Sequence, residues 1–194
     1  SSRRGLFGRV LVGDDTRAAL NGASCAVAIA PAGYADHPAL MREIGVGYDA
    51  SPDSEHALGL ARNLAAEQHT KLSAFEAVFV PARLYAAPAW PDATAIEEMV
   101  DAARERIAGL GGVEPHAAYG EPAEELALYS ASLDLLVVGS RSYGPIGRLV
   151  HGSTSHHLAR TARCPLLVLT RAARAAETPG ASEQDPNAAI VAKA

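Results

Sequence analysis

The chain has 194 residues, 48% of them hydrophobic, with a formal net charge of −5 and only two cysteines. It can build one globular domain with appendages or two small ones, and no run of eighteen uninterrupted apolar residues marks a membrane helix. The acidic balance, with Lys71 and Lys193 the only lysines and no Lys/Arg cluster, argues against a nucleic-acid surface; two cysteines suit a reducing compartment better than a disulfide-built fold.

The first residues, Ser1-Ser2-Arg3-Arg4-Gly5, lack the apolar centre of a signal peptide, so a cytoplasmic location is expected. An internal repeat comes next. With Ser1 laid on Ser140 and no gaps, Gly5 falls on Gly144, Gly8 on Gly147, Arg9 on Arg148, Gly13 on Gly152, Ala23 on Ala162 and Cys25 on Cys164. In each copy a glycine loop leads through a short helix, about 14–21 or 153–162, to an apolar strand, Ala26–Ala30 or Leu166–Leu169. Residues 1 to about 40 therefore read as the tail of a preceding domain.

Residues 31–42, with Pro31, Gly33, Asp36 and Pro38, read as a linker. Ile44–Tyr48 is a short strand ending at Asp49. Ser51 then stands as a helix N-cap, with Pro52 at the first helical position and Asp53 and Glu55 in the first turn. Ala57, Leu58, Ala61, Leu64 and Ala65 recur at helical spacing, so one face packs on a sheet. Leu72–Val80 is a second strand. Residues 81–94, with Pro81, Pro88 and Pro91, form a long loop whose Tyr85 and Trp90 can fold over whatever lies beneath it. Ile96, Met99, Val100, Ala103 and Ile107 mark a helix that stops near Gly109 and Gly111-Gly112.

Val113–Tyr119 is a third strand, and its Pro115 suits an edge position, where a missing donor costs least. Pro122 opens a helix through Ala123, Leu126 and Ala127. The apolar run Leu133–Val138 then stops at Gly139, passes a Gly/Ser loop and meets Gly152-Ser153 and a further helix before Leu166–Leu169. Residues after Arg171 show little periodicity and read as a disordered tail. The alternation of strands and amphipathic helices predicts an α/β fold with a parallel sheet covered on both faces.

A strand, a glycine loop and a helix start form a place where backbone N–H groups attract anions, so phosphate is the first ligand to consider. By contrast, the first copy has Arg3 opposite Ser142 and Gly13-Asp14 where the second has Gly152-Ser153; a carboxylate at that helix start repels phosphate. His151, His156 and His157 do not share one helical face, which speaks against a metal site. Cys25 and Cys164 each precede a strand and read as packing residues. Glu97-Glu98 and Glu124-Glu125 diverge on their helices and read as solvated faces.

From about residue 44 to 171 the chain resembles the universal stress protein family. The matching residues are Ile44–Asp49 with Ser51-Pro52, Gly120-Glu121-Pro122-Ala123, Val137–Arg141, Gly152-Ser153 and Cys164-Pro165-Leu166-Leu167-Val168. The family's nucleotide motif is Gly, two residues, Gly, nine residues, then Gly followed by Ser or Thr. Here Gly139 and Gly152-Ser153 hold the outer positions, and Ser142 stands where the second Gly belongs. If that position needs a positive φ, serine costs about 1 kcal/mol there; if it only needs a small residue, serine fits and adds a hydroxyl.

The resemblance implies an open, doubly wound five-stranded parallel sheet of order 3-2-1-4-5, like that of the adenine nucleotide alpha hydrolases. An N-terminal helix-strand remnant would be added to it. Residues 1–42 would be the tail of a degenerate first universal stress domain plus linker, 43–172 a complete domain, and 173–194 the tail. Strands one and four would bring Asp49 beside Gly139 at a topological switch point. The implied nucleotide contacts are Gly47, Asp49, Ala77 at the adenine, Val138, Gly139, Arg141, Ser142, Gly152, Ser153 and Thr154. Arg141 reads equally as a phosphate contact or a solvated loop charge.

The expected function is a small-nucleotide-binding module for ATP, with Mg²⁺, in stress response or signalling, with at most weak ATPase activity. The alternative is a ligand-free universal stress fold that serves as a protein–protein interaction or dimerisation module. Family dimers pair through the fifth strand. A homodimer or an intramolecular pseudo-dimer is therefore expected, the latter with Ala26–Ala30 antiparallel to Leu166–Leu169.

Overall fold

Short apolar runs and capped helices alternate along the chain and build one six-stranded sheet with helices on both faces. The structure, a computed structural model, describes residues 23, 25–31, 33–36, 40–80, 91–139 and 153–170. In chain order the elements are β1 (Val27–Ile29), β2 (Glu43–Gly47), α1 (Pro52–Gln68), β3 (Lys71–Val78), α2 (Ala93–Ala108), β4 (Glu114–Tyr119), α3 (Pro122–Tyr129), β5 (Leu135–Gly139), α4 (Ser153–Thr161) and β6 (Leu166–Leu169). The sheet order is β1-β6-β5-β2-β3-β4. The pairs from β6 to β4 are parallel, and their five strands, counted from β2, stand as 3-2-1-4-5. Only β1 runs antiparallel, setting Val27, Ala28 and Ile29 against Val168, Leu167 and Leu166.

The pleat sends successive side chains to opposite faces. Ile44, Val46, Ala74, Leu135 and Val137 meet α1 through Ala57, Leu58, Ala61 and Ala65, and Ile107 of α2 joins that core. Phe75, Leu136, Val138, Leu166 and Val168 face the other way, against Leu126 of α3, Leu133 and Leu158 of α4. The central strands β2 and β5 are buried almost throughout, which is why they read as continuous apolar runs. Gly45 of β2 lies under the α3 side; a Cβ there would come within 2.2 Å of Leu133 Cδ1 and 2.8 Å of Tyr129 Cε1. Asp134 fixes the entry to β2 by accepting from the backbone N–H groups of Arg42 (2.8 Å) and Glu43 (3.0 Å).

The helix starts follow their sequence signals. Ser51 Oγ accepts from the Ser54 N–H at 3.2 Å with Pro52 just inside α1, and Asp92 Oδ1 accepts from Ala95 N–H at 2.9 Å to open α2. Glu121 precedes α3 without a side-chain cap, and there Pro122 sets the start. β4 begins at Glu114 and not at Val113, and β3 covers Lys71–Val78 and not 72–80. Pro115 does sit on an edge strand, β4.

Two packing expectations are corrected. Met99 is 36% exposed, because α2 turns Val100, Ala103 and Ile107 to the core and leaves Met99 beside that stripe. Cys25 is exposed while Cys164 is buried, because the strand after Cys25 has only one neighbour in the sheet. The segment before β1 is held to the last strand, since the Thr170 hydroxyl reaches the carbonyls of Ala23 (2.9 Å) and Cys25 (3.1 Å). The first-copy helix, Tyr85 and Trp90, and the tail after Thr170 lie outside the described residues.

Candidate functional site

The strand order reverses between β2 and β5, and a crevice opens at their carboxyl ends. The turn from β2 into α1 forms one of its walls. Asp49 Oδ1 accepts from the Ser51 hydroxyl (2.5 Å) and the Ser51 N–H (3.2 Å), and the Asp49 N–H reaches Ser54 Oγ at 3.3 Å. Ser54 Oγ in turn donates to the Ser51 carbonyl at 2.9 Å. Between these residues Ala50 is held at a left-handed φ of 57°, a conformation that costs a non-glycine residue about 1–2 kcal/mol. The hydrogen bonds on both sides over-determine the turn and keep the strain in place.

Gly139 ends β5 directly against that wall. A Cβ there would stand 2.5 Å from the Asp53 carbonyl oxygen and 2.7 Å from its carbon, and backbone in the first turn of a capped helix does not yield. The glycine is thus required by α1 itself, independently of any ligand. Phe75, Ala77, Leu126, Pro122 and Val138 give the crevice an apolar wall, and Asp49, Asp53, Glu121, Ser51, Ser54, Thr154 and Ser155 supply polar groups. Its volume is about 250 Å³, just below the roughly 300–1,000 Å³ usual for small-molecule sites. Three carboxylates and no lysine or arginine occur among the described lining residues. Tyr48 also lines the crevice and donates its hydroxyl to Glu55; burial first, and then that hydrogen bond, push its pKa up to about 12.

Six of the ten expected contact residues meet here: Gly47, Asp49, Ala77, Val138, Gly139 and Thr154. Ser153 begins α4. Arg141, Ser142 and Gly152 lie outside the described residues. Sequence reasoning passed over Tyr48, Asp53, Phe75, Phe79, Glu121 and Ser155. Strand periodicity held a signal for two of them, because Phe75, Ala77 and Phe79 alternate onto one face. Phe79, just past the end of β3, is a 48% exposed aromatic on the crevice margin.

Residues 41–170, which carry this crevice, match the universal stress protein family. The chain belongs to that family. A universal stress protein of Mycobacterium tuberculosis is 30% identical over 175 residues, covering 87% of this chain and 59% of the relative. YxiE, a universal stress protein of Bacillus subtilis, is 30% identical over 147 residues, covering 67% of this chain and 99% of its own length. The chain therefore spans about three fifths of the length of the mycobacterial relative. The crystal structure of a universal stress protein from Archaeoglobus fulgidus shares the fold, with a TM-score of 0.61 at 23% identity over 88% of this chain and 60% of that one. Among the described residues of this universal stress protein, no helix is long and apolar enough to cross a membrane.

Proposed function

We propose that the universal stress domain binds a small adenine nucleotide, ATP first, between β2 and β5 and acts in stress response or signalling. The observation that carries this is the convergence of Asp49, Ala77, Val138, Gly139 and Thr154, from four separate segments, on one crevice at the switch point. In this reading Phe75, Ala77 and Val138 take the base, and Asp49 accepts from ribose hydroxyls. The N–H groups at the start of α4, Ser153 and Thr154, meet phosphate, with Arg141, Ser142 and Gly152 completing the set. Mg²⁺ that arrives with the phosphates would offset their charge against Asp49, Asp53 and Glu121, which line the crevice but, among the described residues, do not converge as a metal-binding group.

Calorimetric titration with ATP and AMP, with and without Mg²⁺, tests the reading on protein stripped of copurified nucleotide. One saturable site is expected, and Ala77→Leu, which fills the apolar wall, should weaken it by about tenfold or more with unchanged circular dichroism. No heat with either nucleotide under both conditions overturns it.

The same fold without a ligand, serving as an interaction module, is the second reading. Three carboxylates with no lysine or arginine in the described wall favour it, since they repel an unaccompanied polyphosphate. We also read residues 1–42 as the tail of a degenerate first universal stress domain and 43–172 as a complete one. The antiparallel seat of β1 on β6, of the kind expected for an intramolecular pseudo-dimer, supports this division.

A further inference from the structure

At the opposite end of the sheet from the crevice, the strands bring Glu43, Glu114 and His116 together. One ligand atom from each side chain lies within 4.8 Å of the other two. Glu114 and His116 are two apart on β4 and so share a face. Glu43 comes from β2, two strand spacings or about 10 Å away. Side chains reaching from both strands close that gap over Ser73, the β3 residue level with Glu114, whose small side chain leaves room for them.

Groups outside the trio hold Glu43 in this pose. The Ser73 hydroxyl donates to Glu43 Oε1 at 3.1 Å, and the Tyr129 hydroxyl donates to Ser73 Oγ at 2.5 Å. The Tyr129 ring also packs 5.6 Å, centre to centre, from the His116 imidazole. Among the described residues neither glutamate has a lysine or arginine partner. His116 Nε2 stands 3.6 Å from Glu114 Oε1. That is too long for a hydrogen bond, but close to the roughly 3.4 Å between two donors that share one ion at about 2.1 Å.

We propose that Glu43, Glu114 and His116 form a site for a divalent transition-metal ion of the zinc class, bound by two carboxylate oxygens and one imidazole nitrogen with water completing the shell. Both β4 ligands are open to solvent, His116 at 39% and Glu114 at 58% side-chain exposure, so an ion can enter. Once bound, it ties β2 to the edge strand β4 across β3 and stabilises the folded chain in proportion to its occupancy.

Zinc titration of the intact chain by calorimetry, with Mg²⁺ as the contrast, tests this. One zinc equivalent is expected, with Mg²⁺ binding there at least about tenfold weaker, as its reluctance to shed water and its preference for oxygen ligands require. Glu114→Gln and His116→Gln should each weaken zinc by about tenfold or more, and Tyr129→Phe, which frees Ser73, by about tenfold. The exposed Glu114 carries no packing load, so Glu114→Gln keeps the fold, and circular dichroism checks that. The paired substitution His156→Gln/His157→Gln on α4 controls for zinc held by other imidazoles and should leave this equivalent in place. Zinc binding unchanged by either Glu114→Gln or His116→Gln, or absent from the parent chain, overturns the proposal.

Discussion

Cys25 and Cys164 occupy the same register of the internal repeat, yet only one is a packing residue. Cys164 is 4% exposed in the core with Leu136, Leu158 and Leu166, and burial pushes its thiol up to about 11. Cys25 precedes β1 and is exposed. Register in a repeat reports which residues correspond; it is silent on which strand ends with one neighbour instead of two. A thiol reagent such as Ellman's at pH 8 should therefore modify Cys25 rapidly and Cys164 only after denaturation. Two fast thiols in the native protein would contradict the burial of Cys164. Gly139 shows the same limit from the other side. The sequence motif marks it as a place for close approach, but the approaching group in the structure is the Asp53 backbone, a contact that no local pattern announces.

Single elements were far more legible. Ser51-Pro52 with two acids in the next turn announced the start of α1, and Pro122 that of α3, because capping depends on residues a few positions apart. Strand cores were equally plain, whereas their ends shifted by one or two residues where solvent and ladder compete for the last backbone groups. The crevice was half visible. Gly47, Asp49, Ala77, Val138, Gly139 and Thr154 are named through the family resemblance, and alternation along β3 points to Phe79, but Tyr48 and Glu121 belong to it only through the folded arrangement. The role of Ser51 is likewise larger in the structure, where it both caps α1 and donates to Asp49. Ser51→Ala removes both bonds and releases the strained turn at Ala50. We expect a loss of about 1–2 kcal/mol in urea unfolding, together with weaker nucleotide binding. An unchanged midpoint would mean that Asp49 is held by other groups.

At the scale of the molecule, parallel pairing with helices on both faces followed from the βα alternation, while the strand order came from family resemblance and not from periodicity. β1 is the informative exception. Its three residues cover an edge of β6 that would otherwise present unpaired backbone groups. Deleting residues 1–40 should therefore drive the protein to dimers or aggregates in light scattering after size exclusion. A truncated chain that stays monomeric would show that β6 tolerates an open edge.

The far side of the sheet ends differently. The Ala117 carbonyl turns away from β3, where Arg104 Nη2 lies 3.4 Å from it. Residues two apart in a strand point their backbone groups the same way, so Pro115 faces outward too and offers no N–H there. Of the outward positions on β4, one has no donor and the next has its acceptor shielded. A foreign strand that docked on this side would lose its register after a single pair. Both margins of the sheet are thus poor templates: one ends in β1, a strand of only three residues, and the other in β4, whose outward row of donors and acceptors is interrupted.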